Sequence, residues 1–186
     1  MLKYIGQDLY LRGMNKALQG YGFDGFQLDY KYSGSKSKNV YKCCSEKSKY
    51  NSSYEKLYGK YFTVKDVIKH PKAKESPYIY GNKFFLQLED KESKDELYYE
   101  YRTNMGALFP FATVGYFLKL KDIYPNKQFV FQDVDFTNIV DGEDIRCSFG
   151  TIWTCTDVTI DEKFYWIGLI LENSNKEKIF KNMAQF

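Results

Sequence analysis

The chain has 186 residues, a net charge of +3, 44% hydrophobic and 27% charged residues, a globular balance rather than a disordered or fibrous one. Aromatic residues reach 19%, with 18 Tyr and 15 Phe, which supplies ample core material and leans the chain toward strands. A lone histidine, His70, leaves little for histidine-based acid–base chemistry, and no run approaches the roughly 18 apolar residues of a spanning helix.

The first segment, Met1 to Gly6, lacks the basic start and long apolar centre of a secretory signal. The compartment therefore stays open: cytoplasmic if Met1 is the native start, exported if an upstream signal was removed. From Tyr4 to Leu11 the chain passes from an aromatic residue through Gly6 to Leu9 and Leu11. Leu57 to Val64 repeats the pattern through Gly59 to Phe62 and Val64, and Tyr124 to Phe131 through Asn126 to Phe129 and Phe131. A spacing of two puts each apolar pair on one face of a strand, and Gly or Asn tolerates the sharp turn before it.

A turn of helix is expected over 15–19, before the glycine-rich stretch from Gly20 to Gly25. That stretch resembles a G-x-G-x-x-G string but lacks the strand-to-helix context that makes such a string a phosphate site. Next come Phe26 and Leu28, a polar run, and Val40-Tyr41, which together read as a hairpin. Residues 31–56 hold seven Lys and seven Ser and alone would read as a flexible linker. In register with the other segments they become a hairpin tip, a returning strand and the approach to the next unit.

A short helix is expected over 52–58, then a hairpin from Phe85–Leu88 through an acidic tip to Leu97-Tyr98. Apolar spacing over 113–123 predicts a helix ended by Pro125. Asp141-Gly142 marks a turn, residues 151–160 and 164–171 form a hairpin about Asp161 to Lys163, and Leu169–Glu172 returns at Ile179-Phe180.

The expected fold is mainly β, a β-rich α+β chain of tandem SH3-like-sized β-barrel or β-roll units joined by short helices. The units span 1–50, 51–115 and 116–186 and pack into one body, because units of this size are marginal alone.

Catalytic inventories are thin. Cys43, Cys44, Cys147 and Cys155 form no C-x-x-C pair, and adjacent cysteines make a poor start for a tetrahedral zinc site. Core thiols are expected, with one disulfide, such as Cys147–Cys155, as the alternative. His70, in a Lys-His-Pro-Lys loop, reads as solvent-exposed. The acids from Asp133 to Asp144 match a calcium loop only in part, since Asn138 stands where the loop needs Gly and Asp144 where it needs Glu. Asp157 with Asp161 and Glu162, and Glu89 and Asp90 with Glu92, fall at hairpin tips where charge serves solubility. No catalytic residue, metal or cofactor is assigned.

Residues 1–80 hold 15 Lys/Arg against 7 Asp/Glu, a net +8, and residues 81–186 hold 12 against 17, a net −5. Only Arg12, Arg102 and Arg146 are arginines, which argues against specific nucleic-acid reading. The tyrosine surplus points elsewhere. On one strand, alternation sets Tyr99 and Tyr101 with Leu97 on one face, and Tyr98 with Glu100 and Arg102 on the other. Tyr98, Tyr99, Tyr101 and Arg102 are therefore the candidate binding residues. The function expected is a non-enzymatic binding or interaction module, taking peptide or cell-wall material through aromatic grooves or strand edges. The competing readings are a carboxylate- or thiol-dependent enzyme and lysine-mediated binding of anionic polymers.

Overall fold

A computed structural model of the chain describes residues 2–32, 34–102, 109–131, 134–147, 149–161 and 166–183, with the backbone alone for Cys147. The fold is mainly β, with antiparallel sheets, and the chain divides into two compact units, Met1–Val114 and Gly115–Phe186.

In the first unit β1 (Asp8–Leu11) is followed by a long connection. It carries helix α1 (Lys16–Gln19), the two-residue β2 (Phe26–Gln27), a 3-10 turn (Lys36–Asn39) and helix α2 (Tyr54–Leu57). Then come β3 (Tyr61–Lys69), helix α3 (Pro77–Tyr80), β4 (Lys83–Asp90), β5 (Glu96–Arg102) and β6 (Phe111–Thr113). The six strands form one sheet in the order β2-β5-β4-β3-β1-β6. Strands from both stretches read as separate units, 1–50 and 51–115, thus share it: β1 pairs with β3, and β2 with β5.

No closed barrel forms among the described residues; β2 and β6 stand at opposite edges. The sheet nevertheless curls. Tyr99 of β5 and Phe111 of β6, four strands apart in the order, meet edge-on at 5.1 Å between ring centroids. A β-bulge between Val64 and Asp66, where β3 pairs with β4, supplies local bend and twist. Closure is not needed to seal the core, because the connection after β1 adds Phe23, Tyr41, Tyr54 and Leu57 to the cluster of Leu9, Leu11, Phe62, Val64, Leu86, Leu88 and Leu97. Ser52 ties that connection down, its hydroxyl donating to the Tyr41 carbonyl at 2.6 Å and its backbone exchanging bonds with Phe23.

The second unit holds helix α4 (Val114–Ile123, beginning on the last residue of the first unit), β7 (Gln128–Val130), β8 (Val134–Thr137), β9 (Asp144–Cys147), β10 (Ile152–Ile160), β11 (Ile167–Glu172) and β12 (Lys178–Asn182). Four strands make a sheet in the order β12-β11-β10-β7, and β8 and β9 form a separate hairpin bridged to β12 between Asn138 and Ile179. Its core gathers Leu120, Ile145, Trp153, Cys155, Val158, Leu169, Leu171 and Ile179. The helices expected over 15–19, 52–58 and 113–123 correspond to α1, α2 and α4.

Four strands of the first sheet stand in the same order as the four of the second. In each, a first strand is followed by a long connection and then three strands of antiparallel meander: β1, β3, β4, β5 and β7, β10, β11, β12. Gly6 (φ 78) and Asn126 (φ 67) hold the same left-handed turn before the first strand. The Gly6 amide donates to Val64 O and the Val64 amide to Gln7 O; likewise the Asn126 amide donates to Cys155 O and the Cys155 amide to Lys127 O. Leu9 lies opposite Phe62 as Phe129 lies opposite Trp153. Both second strands bulge directly after the residue that bonds the left-handed turn, between Val64 and Asp66 and between Cys155 and Asp157. After each bulge an aspartate, Asp66 or Asp157, accepts from the next amide, at 2.7 and 2.8 Å. Gly59 (φ 77) precedes β3 as Gly150 (φ 86) precedes β10, so the Leu57–Val64 segment leads into the second strand of its sheet.

Candidate functional site

The tyrosines of β5 divide as alternation predicts. Leu97 and Tyr99 are buried in the first unit's core, Tyr99 packing on Phe26 at 5.0 Å and Phe111 at 5.1 Å. Burial, then Asp24 and Glu100, pushes its phenol well above the usual range. Tyr101 packs edge-on against Phe109 at 5.3 Å. Tyr98 is on the other face, 4.9 Å from Tyr30, donating its hydroxyl to Glu96 Oε1 at 2.9 Å. Burial, with Glu96 adding, pushes the Tyr98 phenol up to about 12. Arg102 is exposed, with Nε 3.4 Å from Glu100 Oε1.

Two clefts adjoin at this strand and share Gln27, Lys36, Glu100 and Arg102. The smaller, about 220 Å³, is lined by Tyr99 and Tyr101 with Phe23 and Asp24. The larger, about 340 Å³, opens on the opposite sheet face over Phe85 and is walled by Tyr30, His70 and Tyr80. Of the expected binding residues, Arg102 lines both, Tyr99 and Tyr101 line the smaller, and Tyr98 lines neither.

The larger groove is built by the segment between β3 and β4. His70 caps the 3-10 turn Pro71–Ala73: its Nδ1 accepts the Lys72 amide at 3.1 Å, which puts the proton of the neutral ring on Nε2. Pro77 begins α3, and the two turns bring Tyr80 back over His70, the rings stacking at 4.2 Å and 13°. His70 also stacks on Phe85 at 5.4 Å, with Tyr30 on the same ring at 5.8 Å. Burial holds the imidazole below its ordinary value; Glu100 opposes this, and Lys83 and Lys72 add to it. The lone histidine is thus half-buried in an aromatic stack, not on a free loop. One sequence signal points there: Phe84, Phe85 and Leu86 are consecutive apolar residues in a strand, so both sheet faces must be covered.

Charge is distributed one-sidedly around the groove. Five basic residues line it, Lys31, Lys36, Lys72, Lys83 and Arg102, against Glu100 alone. Lys83 Nζ stands 3.1 Å from Glu100 and 4.9 Å from the centre of the Tyr80 ring; Lys36 Nζ stands 3.1 Å from Asp24.

The other candidates disperse. Cys43 and Cys44 are joined to each other, and Cys155 is a buried free thiol pushed up by burial, a poor nucleophile. A Cys147–Cys155 bond involves a side chain outside those described. Asp133 also lies outside the described residues; Asp141 caps the β8–β9 turn by accepting the Glu143 amide. Asp157 pairs with Lys121 at 3.4 Å, and Glu89 with Lys65 at 3.0 Å; Glu162 lies outside the described residues. Gly22 and Gly25 form turns with φ of 65 and 87. Among the described residues no three His, Cys, Asp or Glu side chains come together as metal ligands would. No helix among them is long and apolar enough to cross a membrane.

No family model, curated protein or solved structure matches the chain.

Proposed function

We propose that the chain is a binding module rather than a catalyst, built from two copies of one four-stranded meander, the first of which carries the ligand groove. The duplication is supported by the shared register, bulge position and left-handed turns of the two sheets. Such scaffolds hold surfaces in place, and elaborations grafted between their strands carry the function. In the first copy the elaborations are the connection after β1 and the turn pair after β3, and both line the larger groove.

The observation that carries the reading is the stacked Tyr80–His70–Phe85 wall beneath a rim of lysines. Aromatic faces beside convergent polar groups in a preformed concavity are how proteins hold small ligands and segments of polymers. Strand addition, the other route to a polymer, is disfavoured here because β5 is already paired with β4 and, at Tyr98 and Tyr99, with β2. The groove therefore reads its ligand through side chains, and cell-wall-type polymers fit this better than extended peptides.

Affinity electrophoresis of the whole chain through gels containing individual soluble polysaccharides tests this. Retardation by at least one polymer, lost in Tyr80→Ala, is expected. Free migration through every gel, retardation unchanged in Tyr80→Ala, or cleavage of the polymer would overturn the reading.

A further inference from the structure

We infer that the groove takes an acidic saccharide, a sugar chain bearing carboxylates; this rests on the reading of the groove as the binding site. Its lining is rich in donors. Lys36 is engaged by Asp24, and Lys83 and Arg102 share Glu100. Lys31 and Lys72, one on each wall, have no carboxylate partner among the described residues. Gln27 accepts from Asn39 Nδ2 through its Oε1 at 3.2 Å, which leaves its amide nitrogen as a donor. A cavity that offers lysine and amide donors, with its carboxylate already engaged, suits an acceptor-rich anion.

The aromatic wall decides which anion. Because Tyr80 and His70 stack face to face, the platform they present is the outer face of Tyr80, with Lys83 Nζ 4.9 Å from the ring centre, a surface of the kind that stacks against the C–H face of a pyranose ring. A phosphate ligand would gain little from such a platform. It would instead look for an Arg fork or a cluster of backbone amides. Arg102 already turns Nε to Glu100, and the lysines stand apart on separate segments as point charges. An acidic peptide would match the charge, but β5 is paired with β4 along its length and with β2 at Tyr98 and Tyr99, which leaves a joining strand few residues to pair with. A uronic-acid unit meets both conditions, its ring on the platform and its carboxylate within the lysine rim.

Calorimetric titration of the full chain with trigalacturonic acid, its fully methyl-esterified form, a hyaluronan tetrasaccharide and hexaglutamate tests this. At least one acidic saccharide is expected to bind; the ester should bind about tenfold more weakly than its parent acid if that is the ligand, and hexaglutamate more weakly still. Tyr80→Ala should weaken binding about tenfold, and Lys31→Ala with Lys72→Ala should weaken it and flatten its salt dependence. The two lysines are exposed, so that variant folds as the parent does. An ester bound as tightly as its acid, with loss in Tyr80→Ala, would overturn the acidic ligand and keep the groove. Equal binding of hexaglutamate would reduce recognition to charge and overturn the saccharide. No binding of any probe, or binding untouched by either variant, would overturn both.

Discussion

Asp90 closes the β4–β5 hairpin from a fully buried position, accepting the amides of Glu92 and Ser93 at 3.0 and 3.3 Å with Lys60 Nζ at 3.2 Å. At the equivalent tip of the second unit Asn173 accepts the amides of Asn175 and Glu177 at 3.0 and 3.1 Å. The turn therefore needs an acceptor, while the charge serves Lys60. Asp90→Asn is expected to cost about 1–2 kcal/mol and Asp90→Ala about 3–5 kcal/mol in denaturant melts, because only the latter also empties the turn. Burial raises the carboxyl, but the two amides and Lys60 outweigh it and hold it below 3.8. Stability from Asp90 is thus present above pH 3.8 and lost as pH falls through the depressed folded value. The Asn variant should lose less on acidification than the parent. The phenols give the opposite limb. Burial raises Tyr41, Tyr98 and Tyr99 above the ordinary 10.0, so unfolded chains release these protons first. Stability should fall as pH rises past 10, and phenolate absorbance should show these tyrosines ionising late. Which β5 tyrosine faces which way is legible in the sequence, because strand alternation is local. The stack on His70 is not, since it depends on two turns folding back over a face that alternation alone leaves undecided.

At the level of elements, the left-handed turns carry the strand starts. A side chain on Gly59 or Gly150 would meet nothing within 4 Å, so substitution strains only the backbone. Gly59→Ala and Gly150→Ala should each cost about 1–2 kcal/mol in urea titrations. Gly22→Ala should cost more, because its Cβ would collide with the Ser52 carbonyl oxygen. The hairpins 83–102 and 167–182 are readable from apolar alternation and polar tips. The run 31–56 is readable only in outline, because its order comes from distant partners: Tyr41 reaches Asp95 at 2.9 Å, and Ser52 pairs with Phe23. Where barrel or roll units are expected, the first unit has an open, curled sheet, and nothing local in the sequence distinguishes a core sealed by strand closure from one sealed by a connecting segment.

At the scale of the whole molecule, the recurrent strand start is visible in the sequence, but its place in the topology is not. The motif marks any strand reached through a left-handed residue, and pairing is decided by contacts far along the chain. The segments at Gly6 and Asn126 begin first strands, while the segment at Gly59 begins a second. Each core draws on its own unit, so residues 1–114 expressed alone should keep slow amide exchange at Leu86, Leu88 and Leu97. Rapid exchange there would mean that the unit cannot fold by itself. Amide chemical shifts of the full chain, titrated with an acidic saccharide that it binds, test most directly the proposal that the ligand sits in the groove of the first unit. Shifts gathered at residues 30–32, 34–39, 70–72, 80–85 and 100–102 are predicted; shifts gathered in residues 115–186 instead would contradict it.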